Sequence, residues 1–305
     1  MQKVYQTTIT EKVNFKGEGL HTGKVSNLSI LPGKADQGIL FKRIDLKKNN
    51  LIQANYKNVS SARLCTTLEN QHGIKVSTVE HLLASFYILG IDNVVIEIDN
   101  EEVPIMDGSA KNFMDILEKV ELKTLSKRRS YLKILDKIEL VDGKRKISIE
   151  PNKNFQVDFQ LNYKNKIIGN QRNKINLYED NLTDIFNSRT FCLYEDIEDI
   201  KSKGLAKGGS LENAIVVNSN GILNSGNLRN AKEFVNHKIL DCIGDLYTSG
   251  YRIIGSVICS QGGHYLTNQL LKRLFENKEN FSIIEIQERN LPHTIINREL
   301  LRSIA

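Results

Sequence analysis

Apolar and polar positions follow two rhythms along this chain. Runs rich in Val, Ile and Thr with period two read as strands at residues 4–13, 25–31, 39–44 and 92–98, and again at 132–140, 146–150, 155–163 and 252–260. Helical spacing takes over at residues 77–89, 110–120, 231–247 and 265–275. The stretch at 231–247 is the most regular of these. Val235, Ile239, Leu240, Ile243 and Leu246 fall on one side, while His237, Asp241 and Asp245 fall on the other, each four residues from the last. Two readings of that polar stripe stay open at this level: a solvated helix face, or a row of groups that can hold a metal ion.

The two halves of the chain follow one plan. The turn at Asp142-Gly143 sits in a hairpin that ends at Pro151, as an earlier pair of strands ends at Pro32. The strand at 155–163 matches that at 39–44, and Ser188-Arg189-Thr190-Phe191-Cys192 takes the place of Ala62-Arg63-Leu64-Cys65-Thr66. The helix at 231–247 matches that at 77–89. Gly262-Gly263-His264 matches Asp107-Gly108-Ser109, and places His264 on a turn. The pattern predicts an α+β fold made by internal duplication: a first domain at 1–125 and a second at 126–305, with an insert near 190–217. The basic run at 122–129 reads as the linker, and the tail after 276 carries no firm pattern. If the two His-bearing helices pack inward, their polar stripes face one cleft between the domains.

Composition narrows the classes. With 305 residues, 40% hydrophobic and 26% charged, the chain has enough apolar content for packed cores. The net charge of +6 suits an anionic substrate without requiring one. Four scattered Cys and no CxxC pair argue against a disulfide framework and against a thiolate zinc site. The first residues lack the apolar stretch of a signal peptide, and no run approaches the ~20 apolar residues of a membrane span. The expectation is a cytoplasmic monomer without a membrane span.

Three residues make a candidate metal set: His81 upstream, and His237 with Asp241 at i, i+4. Two imidazoles and one carboxylate leave an open coordination position, which is the catalytic pattern for zinc. Glu80 adjoins His81, where a carboxylate can serve as general base. It also stands third after Ser77, where a capping box would use it structurally. Asp245 suits the role of orienting a histidine, His264 that of an acid, and Lys238 that of a contact to an anionic group. A rival reading is an RNA-binding repeat that stacks bases on its sheets. Phe155, Phe159 and Tyr163 alternate as that reading needs, but their strand is not basic.

The motifs GEGLHTG (17–23), LCTTL (64–68), STVEHLLASFYILGIDNVVIEI (77–98), PIMDGSA (104–110), SRTF (188–191), EFVNHKILDCIGDL (233–246) and GGH (262–264) occur in this order. Together they resemble the zinc-dependent UDP-3-O-acyl-N-acetylglucosamine deacetylase family of Gram-negative lipid A biosynthesis, over nearly the whole chain. The resemblance implies two similar α+β domains with the active site between them, acting on a UDP-sugar lipid precursor and not on nucleic acid. It implies His81, His237 and Asp241 as metal ligands, Glu80 as base, His264 as acid and Asp245 as its orienting partner. Thr190 takes the place of the oxyanion hydroxyl. Lys238 and Cys65 take substrate-side positions, and Phe191 with residues 204–217 falls in the insert that forms the acyl passage. Zn2+ is the implied cofactor, and the same donors suit Fe(II). Asn236, where a basic residue is frequent, and the weakly acidic run at 228–232 depart from the family pattern.

Overall fold

In the computed structural model, which describes residues 4–285, a five-stranded and a seven-stranded sheet share one five-strand wiring. The first half runs β1 (Tyr5–Ile9), β2 (Val13–Glu18), β3 (Val25–Pro32), β4 (Ile39–Arg43), β5 (Leu51–Gln53), β6 (Val59–Ser61), β7 (Thr67–Glu69), β8 (Lys75–Val76), α1 (Glu80–Leu89), β9 (Val94–Ile98), α2 (Lys111–Leu117) and β10 (Leu122–Arg128). The second half runs β11 (Ser130–Ile134), β12 (Ile138–Asp142), β13 (Arg145–Glu150), β14 (Phe155–Asn162), β15 (Asn170–Asn176), α3 (Thr183–Phe186) and β16 (Phe191–Leu193). It continues through α4 (Ile197–Ser202), β17 (Ile215–Val217), α5 (Glu233–Tyr247), β18 (Arg252–Ser260), α6 (His264–Glu276) and β19 (Phe281–Glu285).

The first sheet orders its strands β2-β3-β9-β4-β5, and β12, β13, β18, β14 and β15 repeat that order in the second. The direction of every pair repeats as well. β4 and β9 are parallel, as are β14 and β18, whereas the other pairs among these ten strands are antiparallel; β11 joins β18 in parallel and carries β19 antiparallel in the second sheet alone. Parallel neighbours need a long crossover, and α1 and α5 lie on those two crossovers. The fold is therefore α+β with an internal duplication, as expected.

Period-two burial explains the sheets. Val94, Ile96 and Ile98 of β9 point inward, as do Phe155, Val157, Phe159 and Leu161 of β14. The inward side chains of both halves join one continuous apolar core. Phe155 and Phe159 are thus core residues, and no base could stack on them; the RNA-binding reading falls here. α1 is buried along its whole length and α5 everywhere except Lys238, because each is covered by its sheet and by the other helix. Their backbones touch at Gly244, where a Cβ would stand 1.9 Å from the Glu80 carbonyl oxygen. Only glycine fits that crossing.

Four expectations are corrected. The basic run at 122–129 is strand β10, paired antiparallel with β1, and not a linker. Its charges project from a strand whose hydrogen bonds are made by β1. Residues 4–13 split into β1 and β2, because β1 pairs away with β10 while β2 forms the hairpin with β3. Residues 132–140 likewise split, since β11 pairs with β18 and β19 whereas β12 pairs with β13. The first long helix opens at Glu80, not Ser77: Thr78 is left-handed at φ 57°, and Ser77 forms a bridge with Glu102. Part of the unpatterned tail, residues 281–285, is β19; the rest, from 286, lies outside the described residues. Among the described residues no helix is long and apolar enough to cross a membrane.

Candidate active site

Glu80 is the first residue of α1, so its carboxylate sits at the positive end of the helix. It does not cap Ser77, whose amide bonds the Glu101 carbonyl. Its Oε2 instead accepts the backbone N–H of Thr66 at 3.1 Å. Burial pushes its pKa up, against the opposing pull of His264 and His81.

The helical spacing of α5 brings His237 Nε2 within 3.4 Å of Asp241 Oδ1. From α1, His81 Nε2 reaches the same oxygen at 3.2 Å, and the two imidazoles stand edge to face with centroids 5.0 Å apart. The donor atoms of His81, His237 and Asp241 lie within 4.8 Å of one another. His237 Nδ1 lies 3.0 Å from the Ser188 carbonyl, which can only accept, so the N–H sits on Nδ1 and Nε2 keeps its lone pair. Burial lowers the His237 pKa to about 3, so the ring is neutral. Asp241 is ionised: burial opposes this, but His237 and the Lys238 ammonium, 2.9 Å from Oδ2, hold its pKa well below the ordinary range. Asp241 Oδ1 is buried and has no hydrogen-bond partner. Neutral imidazoles, an ionised carboxylate and an orphaned buried oxygen at one point are what a divalent cation satisfies. The three residues therefore fit a metal ion. The stripe is buried, with His237 at 1% and Asp241 at 3% exposure, which removes the solvated-face reading.

His264 comes at this point from the opposite side. It is the first residue of α6 and not part of a free turn, so the helix carries its ring inward. Nδ1 bonds Asp245 Oδ2 at 2.8 Å, and Nε2 lies 3.9 Å from both Glu80 Oε1 and Asp241 Oδ2. Burial alone would lower its pKa, but Asp245, then Glu80 and Asp241, raise it to about 9. A carboxyl whose pKa burial raises and a cationic imidazole thus face the metal-ligand cluster.

Thr190, Cys65 and Lys238 line the same space. The Thr190 amide is fixed on the Gly108 carbonyl at 2.7 Å. Phe191 packs edge-on against Phe234 and carries the Lys238 ammonium 5.7 Å above its ring. Burial first, then Glu80, pushes the Cys65 thiol up to about 12, so it is neither a nucleophile nor a thiolate ligand.

Three contributors escaped the sequence reading. Thr66 bonds Glu80 and also donates to Asp245 Oδ1 at 2.6 Å. Glu233, fully buried at the start of α5, clamps Arg189 at 2.8 Å and so holds the loop before β16 that presents Ser188 and Thr190. His21 is buried with an unpartnered Nε2 where the site meets its neighbouring cavity. His21 and Thr66 lay inside recognised motifs, but their partners are far away in sequence.

That cavity has a volume of about 370 Å³ and an apolar wall of Leu20, Leu64, Phe191, Ile197, Ile200 and Val216. The insert builds much of it: β16 and β17 pair in parallel, with α4 on the crossover between them.

A duplicated α+β fold that converges a two-histidine, one-aspartate cluster on a buried carboxylate and a cationic histidine defines a metal-dependent hydrolase. Comparison with known families makes the class specific. Residues 6–276 match the family model of UDP-3-O-acyl N-acetylglycosamine deacetylase, and the chain belongs to that family. Proteins named UDP-3-O-acyl-N-acetylglucosamine deacetylase from Citrifermentans bemidjiense and Geobacter sp. strain M21 are each 39% identical to it over 295 residues, 96% of this chain and 96% of theirs. The protein of that name from Shewanella violacea is 38% identical over 293 residues, covering 95% of this chain and 96% of its own.

Proposed function

We propose that this chain hydrolyses the N-acetyl amide of UDP-3-O-acyl-N-acetylglucosamine to acetate and the free amine, the committed step of lipid A biosynthesis. The observation that carries this reading is the convergence of His81, His237 and Asp241 between Glu80 and His264, beside an apolar cavity. Family membership supplies the substrate.

His81, His237 and Asp241 hold the cation, zinc in the first place and Fe(II) as the alternative that the same donors suit. A bound divalent ion supplies a Lewis acid that polarises the acetyl carbonyl and lowers the pKa of water. Glu80 takes the proton from the attacking water. The Thr190 hydroxyl donates to the carbonyl oxygen as it gains negative charge. His264, charged at neutral pH and aligned by Asp245, gives its proton to the departing nitrogen. Lys238 and Phe191 flank the sugar side, Cys65 lines the wall, and the acyl chain lies in the cavity walled by the insert. The expected domain boundary at 125/126 shifts to the end of β10, which pairs with β1, so the second domain begins with β11, and the monomer acts in the cytoplasm.

The test is amine release from the UDP-sugar, measured with and without a chelator and after adding back zinc or Fe(II). The reading predicts release that the chelator stops and the metal restores. Release that persists in a metal-stripped chain would sink it.

A further inference from the structure

One residue touches both the base and the carboxylate that holds the acid. Thr66 precedes β7 and is 2% exposed. Its backbone N–H donates to Glu80 Oε2 at 3.1 Å, and its hydroxyl donates to Asp245 Oδ1 at 2.6 Å. The other oxygen of Asp245 holds His264 Nδ1 at 2.8 Å. The Thr66 carbonyl accepts the amide of Val79, the residue that caps α1, at 3.4 Å.

The torsion that orients an aspartate carboxylate is broad and soft. A single bond from one oxygen to His264 leaves the carboxylate plane free to rotate, and the imidazole rotates with it. A second bond at the opposite oxygen removes that freedom. The hydroxyl contact to the carboxylate oxygen is short, at 2.6 Å. Thr66 comes from the first half of the chain, whereas Asp245 and His264 come from the second. The side of the site that gives a proton is therefore tied to the side that takes one through a single threonine.

We infer that Thr66 is a positioning residue for the deacetylation proposed above. Its hydroxyl sets the plane of Asp245, and through it the His264 ring, while its amide sets Glu80. The inference rests on that reading of the reaction.

The test compares Thr66→Val, which keeps the shape and loses the hydroxyl, with Thr66→Ser, which keeps the hydroxyl. Metal content, melting temperature, kcat and KM are measured for each. Losing an outer partner of a metal-site residue costs about 10–100-fold, so Thr66→Val should lower kcat by that factor, with KM and metal content unchanged. Thr66→Ser should restore kcat to within about threefold of wild type. Because the hydroxyl acts through Asp245, adding Thr66→Val to Asp245→Asn should cost less than about twofold beyond Asp245→Asn alone. If Thr66→Val does not fold, Thr66→Ala takes its place in the same comparisons. The inference is overturned by full kcat in the hydroxyl-free variant, by a serine variant as slow as the valine variant, or by additive losses with Asp245→Asn. A wild-type chain that releases no amine overturns the reaction itself, and is thereby distinguished from a failure of Thr66 alone.

Discussion

α1 and α5 occupy the same place in the two copies of the fold, yet they carry different chemistry. α1 has 10 residues and uses only its first two, Glu80 and His81. α5 has 15 residues and uses three successive turns, with His237, Asp241 and Asp245 in a row. The helices that follow differ in the same way. α6 begins with His264, whereas the matching position before α2 is Ser109, whose hydroxyl bonds Asp107 at 2.8 Å. Among the described residues only the second copy holds the β16–α4–β17 insert, which walls the cavity together with Leu20 and Leu64 of the first. Duplication supplied the frame, and in the proposed mechanism the work is divided: one copy brings the base and one ligand, the other two ligands and the acid. Neither copy contains the site alone.

The largest effect should come from removing a ligand on the α5 side. His237→Ala leaves two donors and an orphaned Ser188 carbonyl. The variant should fold but fail to hold stoichiometric metal, and its turnover should vanish. Full metal content at ordinary buffer concentration would show that α5 does not carry the ligands assigned to it.

On the α1 side, Glu80→Ala should retain metal and lose about two orders of magnitude or more in kcat. Its melting temperature should fall only modestly, because no helix cap is lost: the Ser77 amide is already bonded to Glu101. A large drop in stability with near-normal kcat would make Glu80 a structural residue and leave the first copy with no catalytic part.

The contrast between α5 and α1 also explains what could be read from the chain. The α5 stripe is local: spacing alone puts His237 and Asp241 on one face, and a strong apolar stripe opposite marks the helix. The start of α1 was misread because a capping pattern is a statistical rule, and here Thr78 takes a left-handed backbone that bonds its hydroxyl to Glu102 at 2.9 Å. β10 escaped because its neighbours are too far off in sequence to show that a basic run is half of a two-stranded sheet. The paired sheets were visible because period-two burial is written into each strand, although the splits at β1/β2 and β11/β12 depend on partners chosen in three dimensions. Thr66 lay inside the LCTTL motif, but nothing local marked its role, since Asp245 lies 179 residues away.

Gly244 probes how closely the two copies must meet. A methyl group there would stand 1.9 Å from the Glu80 oxygen, which belongs to backbone and cannot turn aside. Gly244→Ala should therefore push α1 from α5 and part His81 from Asp241. Overpacking of this kind costs about 1–3 kcal/mol of stability. Metal affinity should fall by about 10–100-fold while His237 and Asp241, on one helix, keep their spacing. Unchanged affinity, measured by competition with a chelator, would mean that the crossing distance does not set the ligand geometry.

The smallest expected change is a shift along the pH axis, and it isolates the second copy's acid. His264 is held at about 9, above its ordinary value near 6.5, by Asp245, Glu80 and Asp241 acting against burial. Its charged form is the one that donates, so kcat/KM should fall as pH rises through the folded pKa, giving an alkaline limb above 6.5. The same raised value makes a stability term in the metal-free chain: fully present below about 6.5, and lost as pH rises toward 9. Asp245→Asn removes the strongest of the charges that favour the imidazolium. The alkaline limb should then move to lower pH, the plateau should drop because the ring is less well held, and the acid limb set on the Glu80 side should stay in place. Glu80 and His264 interact across 3.9 Å, so the two limbs belong to the pair, and the shift is read from the difference between wild type and variant. An alkaline limb that stays put in both Asp245→Asn and His264→Gln would assign the titrating acid to some other group and leave α6 without its catalytic distinction from α2.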